Sequence, residues 1–83
     1  MTHCINHAAI DGLCKLYVAY TDELTHRLKQ LSGYGCVRHA AYARRRVLET
    51  LAHELGFLQK DEPLSKFARA MTIETLTKWG YQL

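Results

Sequence analysis

The chain has 83 residues, which suffice for one small domain, so we expect residues 1–83 to form a single domain. Hydrophobic residues make up 48% and charged residues 23% of the chain, which excludes disordered and collagen-like proteins. The net charge of +3 comes from 11 Lys and Arg against 8 Asp and Glu, a balance too even for a dedicated nucleic-acid coat protein.

The strongest pattern is an apolar stripe in the first part of the chain. Its members recur at spacings of three and four, as on one face of an amphipathic helix: Ile10, Leu13, Tyr17, Tyr20, Leu24, Leu28 and Leu31. Asp11-Gly12 interrupts the stripe, because Asp is a good N-cap and Gly is unfavourable within a helix. We therefore predict that the helix begins at Leu13 and that residues 2–10 form a separate turn or short helix.

A second helix is predicted after a short loop. Ser32-Gly33-Tyr34-Gly35 indicates that loop, since glycines allow the positive φ that ends helices. The helix is expected from about Val37 to Leu55, with Gly56 as the residue that follows its C-terminus. Its apolar face comprises Val37, Ala40, Ala41, Val47, Leu48, Leu51, Ala52 and Leu55. Because the loop is short, the two helices form an antiparallel hairpin.

A third helix is predicted near the C-terminus. Pro63 suits its first turn, and Asp61 or Glu62 is the expected N-cap. One face of this helix comprises Leu64, Phe67, Ala68, Met71, Thr75 and Trp79.

This C-terminal segment is either one helix or two. Ile73 and Leu76 fall off the apolar face, and Thr72 is an acceptable N-cap, so two short helices hinged at Met71-Thr72 are the alternative. No run of residues alternates with period two, as strands would require. The predicted fold is therefore all-α: an antiparallel helical hairpin plus one or two shorter C-terminal helices, in a bundle of three or four.

The outer face of the second helix is basic. Helical spacing groups Arg38, His39, Tyr42, Arg45, Arg46, Glu49 and His53 opposite the apolar face. Guanidinium groups pair with phosphate and carboxylate, so this face suits a phosphate or an acidic protein surface, with a solvated face as the alternative. The C-terminal aromatic residues join the candidates because Trp and Tyr dominate binding hot spots. The predicted partner-binding residues are Arg38, Tyr42, Arg45, Arg46, Trp79 and Tyr81.

Arg44 falls within the apolar face of the second helix, where a lone charge is costly unless it is paired. In the hairpin it lies level with Asp22 and Glu23, so we expect an ion pair there or a side chain that extends along a helix interface to water. A carboxylate on another subunit or on a target is the alternative. The predicted oligomer interface comprises Tyr17, Tyr20, Leu24 and Arg44.

Potential metal ligands occur at helical spacing in two places. His3, Cys4 and His7 lie near the N-terminus, and Cys36 precedes His39 by three residues. A structural zinc site needs four ligands, and the two groups lie roughly 40 Å apart along the hairpin, so only a second chain brings them together. We therefore expect no metal within one chain and no cofactor.

Size and cysteine content predict the setting of the protein. A chain this short buries only about 60–65% of its unfolded surface, which favours a homodimer. The N-terminus lacks a signal-like segment, and no stretch approaches the ~20 apolar residues of a membrane span. Three cysteines, Cys4, Cys14 and Cys36, indicate reduced thiols rather than a disulfide framework. We therefore expect a cytoplasmic protein with no membrane partner.

No catalytic constellation is found, because a Cys with a His three residues away has no oxyanion-hole loop or orienting third residue. We therefore predict that the protein is not an enzyme. The predicted function is a small helical module that binds, and inhibits or redirects, a larger host or cellular protein with an acidic surface. Phages and mobile elements encode such modules, and that origin is inferred by analogy alone.

Two other functions stay open. One is a small nucleic-acid-binding transcriptional regulator that uses the basic face of the second helix. Its C-terminal segment 67–79 resembles a helix-turn-helix, although Thr stands in place of the usual turn Gly. The other is a metal-binding or thiol-active protein.

Overall fold

In a computed structural model the chain forms three helices, α1 (His7–Gln30), α2 (Tyr34–Glu54) and α3 (Lys66–Lys78). The structure describes the backbone of residues 5–30 and 34–83 and the side chains of residues 5–26 and 38–83. This part of the chain contains no strand, and the prediction of an all-α bundle is confirmed. No helix in the described ranges is long and apolar enough to cross a membrane.

α1 runs without a break through Asp11-Gly12, so the prediction that it begins at Leu13 is wrong. The N-terminal cap is Asn6, whose Oδ1 accepts a hydrogen bond from the Ala9 amide at 3.1 Å. This bond satisfies one of the free amides of the first turn. Gly12 lies on the exposed side of the helix, where an added Cβ would meet nothing within 4 Å. The glycine therefore costs helix propensity only, and the cap and the buried stripe offset it.

α1 and α2 pack against each other as the predicted antiparallel hairpin. Arg44 of α2 meets Thr21 of α1, whereas Leu51, further along α2, shares a buried cluster with Ile10, nearer the start of α1. The main core lies along this interface and is closed by α3. It consists of Ile10, Cys14, Tyr17, Val47, Leu48, Leu51 and Leu76. The predicted loop at 32–35 extends too far towards the C-terminus, because α2 already begins at Tyr34.

Gly56 ends α2 as predicted. Its φ of 82° is left-handed, which glycine adopts without strain. Its amide donates to the His53 carbonyl at 3.1 Å, and the Phe57 amide donates to the Ala52 carbonyl at 2.9 Å. These two bonds form a Schellman motif, which satisfies the last free carbonyls of the helix and turns the chain towards α3.

The connection to α3 differs from the prediction that Pro63 starts the helix with Asp61 or Glu62 as its cap. The Glu62 carboxylate instead accepts a hydrogen bond from the Gln59 amide at 2.8 Å. Asp61 has a φ of 67°, a conformation that Asp tolerates better than most residues. These residues therefore form a turn, and the helix begins after Pro63 rather than around it.

α3 is one continuous helix that begins at Lys66. Ser65 is its N-cap, with extended backbone and an Oγ that accepts from the Ala68 amide at 3.1 Å. Thr72 does not start a second helix, since its side chain is fully buried and its hydroxyl donates to the Ala68 carbonyl at 2.6 Å. Without a turn at Thr72, segment 67–79 is not a helix-turn-helix.

The buried face of α3 also differs from the predicted one. Small residues carry it: Ala68 and Thr72 are buried together with Leu76, whereas Phe67 is 73% exposed. Ala68 packs in a second cluster with Ala52 and Leu58, where short side chains allow α3 to approach α2 closely. The prediction therefore includes Ala68 correctly, but it leaves Leu76 off the face and places the exposed Phe67 and Trp79 on it.

Candidate anion-binding groove

A groove opens between α2, the loop before α3 and the first turn of α3. Four of its lining side chains are cations, and none of the described residues that line it is acidic. The lining consists of Tyr17, Ala41, Arg44, Arg45, Leu48, Leu64, Ser65, Lys66 and Arg69. Its volume is about 240 Å³. A water occupies ~30 Å³ in the liquid, so this α2–α3 groove has room for a small anionic group.

Arg44 is held at the side of the α2–α3 groove where α2 meets α1. Its Nη1 donates to Thr21 Oγ1 at 3.3 Å, and its Cζ lies 5.3 Å from the centroid of the Tyr17 ring. The Thr21 hydroxyl itself donates to the Tyr17 carbonyl at 3.0 Å. Arg44 therefore lies level with the part of α1 that includes Asp22 and Glu23, as predicted. Its hydrogen bond is to the neutral hydroxyl of Thr21. The ring and the hydroxyl together stabilise a half-buried charge.

The other three cations come from two helices. Arg45 follows Arg44 on α2, and Lys66 and Arg69 stand three residues apart on α3. Residues three apart are neighbours on a helix surface. The cap at Ser65 fixes where the first turn of α3 begins and so where these two side chains emerge. Four like charges around one small volume repel each other, and an anion among them relieves that repulsion.

The floor of the α2–α3 groove is apolar. Leu48 is buried, and Leu64 packs against both core clusters. Apolar walls lower the effective dielectric constant, which strengthens the attraction between the cations and an anion. The groove therefore offers a stronger anion site than the same cations would form on a flat helix face.

The predicted basic face of α2 divides into two parts. Arg45 lines the α2–α3 groove, whereas Arg38, Tyr42 and Arg46 lie outside the lining and are exposed. Tyr42 is 63% exposed. These three side chains are accessible to a partner. Their role in binding stays a prediction.

The C-terminal aromatic residues belong to a different place. Trp79 and Tyr81 line a separate pocket of about 370 Å³ with His7, and it shares no residue with the α2–α3 groove. The His7 and Trp79 rings lie 5.4 Å apart between centroids. Tyr81 packs on the main core, and its amide donates to the Leu76 carbonyl at 3.0 Å. This segment clamps the start of α1 onto α3, while Trp79 remains 42% exposed.

The predicted oligomer residues are not equally accessible. Tyr17 is 6% exposed because it lies in the core beneath Arg44, and Tyr20 and Leu24 are half-buried. A second copy therefore has Tyr20 and Leu24 to contact before Tyr17. The dimer itself stays a prediction.

The structure describes the predicted metal and thiol candidates only in part. His3, Cys4 and the Cys36 side chain lie outside the described residues. Among the side chains that the structure describes, no three His, Cys, Asp or Glu residues come together to hold a metal ion. Burial and then the charge of Asp11 raise the pKa of the Cys14 thiol, which disfavours its reactive thiolate form.

Three residues that line the α2–α3 groove are not among the residues predicted from the sequence: Ser65, Lys66 and Arg69. The signal that was available is Ser65 itself, a preferred N-cap residue just after Pro63. Lys66 and Arg69 carry no local pattern that separates them from other exposed charges, and their role depends on which part of α2 they face.

Comparisons of this chain with known protein families, with curated proteins and with solved structures give no match.

Proposed function

We propose that this protein is a small helical interaction module that binds the acidic surface of a larger protein through the α2–α3 groove. The observation that supports this most directly is the convergence of Arg44, Arg45, Lys66 and Arg69 on one apolar-floored groove. A carboxylate or phosphate of the partner enters between these cations. Binding covers that acidic surface and so inhibits or redirects the partner.

Exposed aromatic side chains support a protein partner. Phe67 lies next to Lys66 in the first turn of α3, and Tyr42 lies three residues before Arg45 on α2; both are largely exposed. Aromatic residues beside arginines are the usual composition of protein-binding surfaces and of their hot spots. The apolar floor at Leu48 and Leu64 adds a surface for carbon atoms of the partner.

Nucleic acid is the second candidate. Exposed arginines on α2, Arg38, Arg45 and Arg46, favour it, because a row of cations can follow a phosphate backbone. Two features speak against it: α3 is not the second helix of a helix-turn-helix, and the net charge of the chain is only +3.

The proposal also covers the cellular compartment and the oligomeric state of the protein. The odd number of cysteines and the buried free thiol of Cys14 favour a reducing, cytoplasmic compartment. We also propose that the protein acts as a homodimer, which presents two copies of the groove. Its origin from a phage or mobile element remains an analogy.

The test uses fluorescence anisotropy with two labelled probes, an oligoglutamate peptide and a mixed-sequence DNA duplex, at physiological salt. We expect the peptide to bind and the duplex to bind weakly. Arg45→Ala and Arg69→Ala should each weaken peptide binding about tenfold, since a charge-assisted hydrogen bond contributes ~1.5–3 kcal/mol. Lys60→Ala is the matched control, because Lys60 is an exposed cation outside the groove.

The outcome decides between the two candidates. Peptide binding that both groove variants weaken and the control does not supports the proposal. Nanomolar binding of the duplex together with no binding of the peptide would overturn it in favour of the nucleic-acid regulator.

A further inference from the structure

We infer that the α2–α3 groove receives a phosphomonoester dianion, the group that a phosphorylated side chain of the protein partner presents. This inference rests on the proposed function, since it names the chemical group that the groove selects on that partner.

The charge of the groove exceeds what one carboxylate can neutralise. Four cations line it, and no acidic side chain stands among the described residues of its lining. A carboxylate brings one negative charge, whereas a phosphomonoester brings about −1.5 to −2 at pH 7 and three acceptor oxygens. A phosphoryl group therefore makes more charge-assisted hydrogen bonds to these cations than a carboxylate does.

Arg44 is preorganised for such a ligand. Its bond to Thr21 uses one of the five N–H donors of the guanidinium, and its Cζ lies over the Tyr17 ring, 5.3 Å from the centroid. Tyr17 is buried and Thr21 bonds to the α1 backbone, so this support does not move with the side chain. A guanidinium held in place loses less conformational entropy on binding, and its planar fork matches phosphate oxygens.

Lys66 and Arg69 complete the site from α3. They reach the groove from one helical turn, whose start Ser65 fixes. The amino-terminal end of α3 carries a partial positive charge of the same sign as these side chains. It adds to their attraction for an anion and is a secondary contribution.

The concave shape favours a monoester over the diester of a nucleic acid. Each phosphodiester carries one negative charge, and a nucleic-acid backbone spreads these charges along a line. Here the cations surround a volume of about 240 Å³ whose floor includes Leu48, Leu64 and Ala41. Such a pocket accepts the end of one side chain, with its carbon atoms against the floor and its phosphate among the cations.

The test is isothermal titration of the full chain with three peptides that are identical except for phosphoserine, glutamate or serine at the central position. We expect the phosphoserine peptide to bind at least tenfold more tightly than the glutamate peptide, and the serine peptide not to bind. Arg69→Gln should reduce phosphoserine binding about tenfold. Lys60→Gln, which removes an exposed cation outside the lining, is the matched control and should change nothing.

The pH dependence gives a second readout. The second pKa of phosphoserine is ~6, so its affinity should rise between pH 5 and pH 7.5 as the dianion forms. No His is among the described residues that line the groove. Sulfate, which keeps its charge over this range, is the control ligand, and its binding should be independent of pH.

Equal binding of the glutamate and phosphoserine peptides, with no rise in affinity with pH, would overturn the phosphate inference. The proposed function would survive that result, because an acidic protein surface would still bind. A DNA duplex that binds more tightly than the phosphoserine peptide, and that loses affinity in Arg69→Gln, would overturn both in favour of phosphodiester recognition. Arg69 is exposed, so its variant reports on binding rather than on folding.

Discussion

The guanidinium carbon of Arg44 lies 5.3 Å from the centroid of the Tyr17 ring, so a charge from α2 rests on an aromatic face from the core of α1. Cation–π contact and the hydrogen bond to Thr21 explain why an arginine is stable within the apolar face of α2. The same two contacts aim it at the α2–α3 groove. The pair therefore contributes both to the packing of α1 on α2 and to the proposed binding site.

Arg44→Lys tests that pair. Lysine keeps the positive charge. It lacks the planar guanidinium, which lies over the Tyr17 ring and can donate several hydrogen bonds at once. We expect a loss of about 1 kcal/mol in the free energy of unfolding and roughly tenfold weaker binding of the acidic peptide. Urea denaturation and anisotropy measure the two effects. Lys60→Arg, an exchange between the same two cations at an exposed position outside the groove, should leave both unchanged; equal effects at the two positions would contradict the assignment.

Substitutions of Ser65 separate the cap of α3 from the charge of the groove. Ser65→Ala removes the acceptor for the Ala68 amide and should cost about 1 kcal/mol of stability. Ser65→Asp keeps a good N-cap but adds a negative charge to the groove, so stability should be retained and peptide binding lost. Asn6→Ala removes the cap of α1 and should reduce stability without affecting binding. Unchanged binding in Ser65→Asp would show that the ligand lies elsewhere.

Stability should fall at alkaline pH. Burial, followed by the charge of Asp11, raises the pKa of both Cys14 and Tyr81. The folded protein then holds these protons more tightly than the unfolded chain, so the stabilisation is present at neutral pH and lost as pH rises above the ordinary thiol pKa of ~8.5. Thermal denaturation between pH 7 and pH 10 should show a falling midpoint. Cys14→Ala should flatten that fall, whereas Tyr81, with an ordinary pKa of ~10, should contribute only above about pH 10. A slope that Cys14→Ala leaves unaffected would contradict this prediction.

The predicted dimer is testable from the surface of the single chain. The accessible area is 6171 Å². The scaling of surface with mass gives about 5,000 Å² for a compact monomer of this size. The excess of about 1,200 Å² is more than the ~800 Å² that each partner buries in a standard interface. Sedimentation equilibrium at micromolar concentration should find twice the 9.5 kDa mass of the chain, and Tyr20→Lys should shift the population to the monomer. A wild-type species of 9.5 kDa would exclude the dimer.

The hairpin could be predicted from the sequence because its signals are local. The stripe from Ile10 onward and the glycine at 56 specify an amphipathic helix and a helix end by spacing alone. The predicted start of α1 at Leu13 is wrong because Asp11-Gly12 resembles a break in the sequence. The residue that caps the helix is Asn6, which lies further upstream. Helix propensity was outweighed there by capping and packing.

The α2–α3 groove could be predicted only in part. Arg44 and Arg45 stood out, because one is a cation on an apolar face and the other belongs to a basic cluster. Lys66 and Arg69 have no such local signal. The packing of Ala68 against Ala52 brings them towards Arg44. Small residues at such contacts leave a weak periodic signal, so the face of α3 and with it half of the groove depended on tertiary structure.

Amide chemical-shift mapping of the isotope-labelled chain with the oligoglutamate peptide tests the central claim most directly, because it locates the ligand without any substitution. We predict the largest shifts at the amides of Arg44 and Arg45 on α2 and at 65–69 at the start of α3. Shifts confined to the exposed residues Arg38, Tyr42 and Arg46, or to the pocket of Trp79 and Tyr81, with the start of α3 unaffected, would contradict the account.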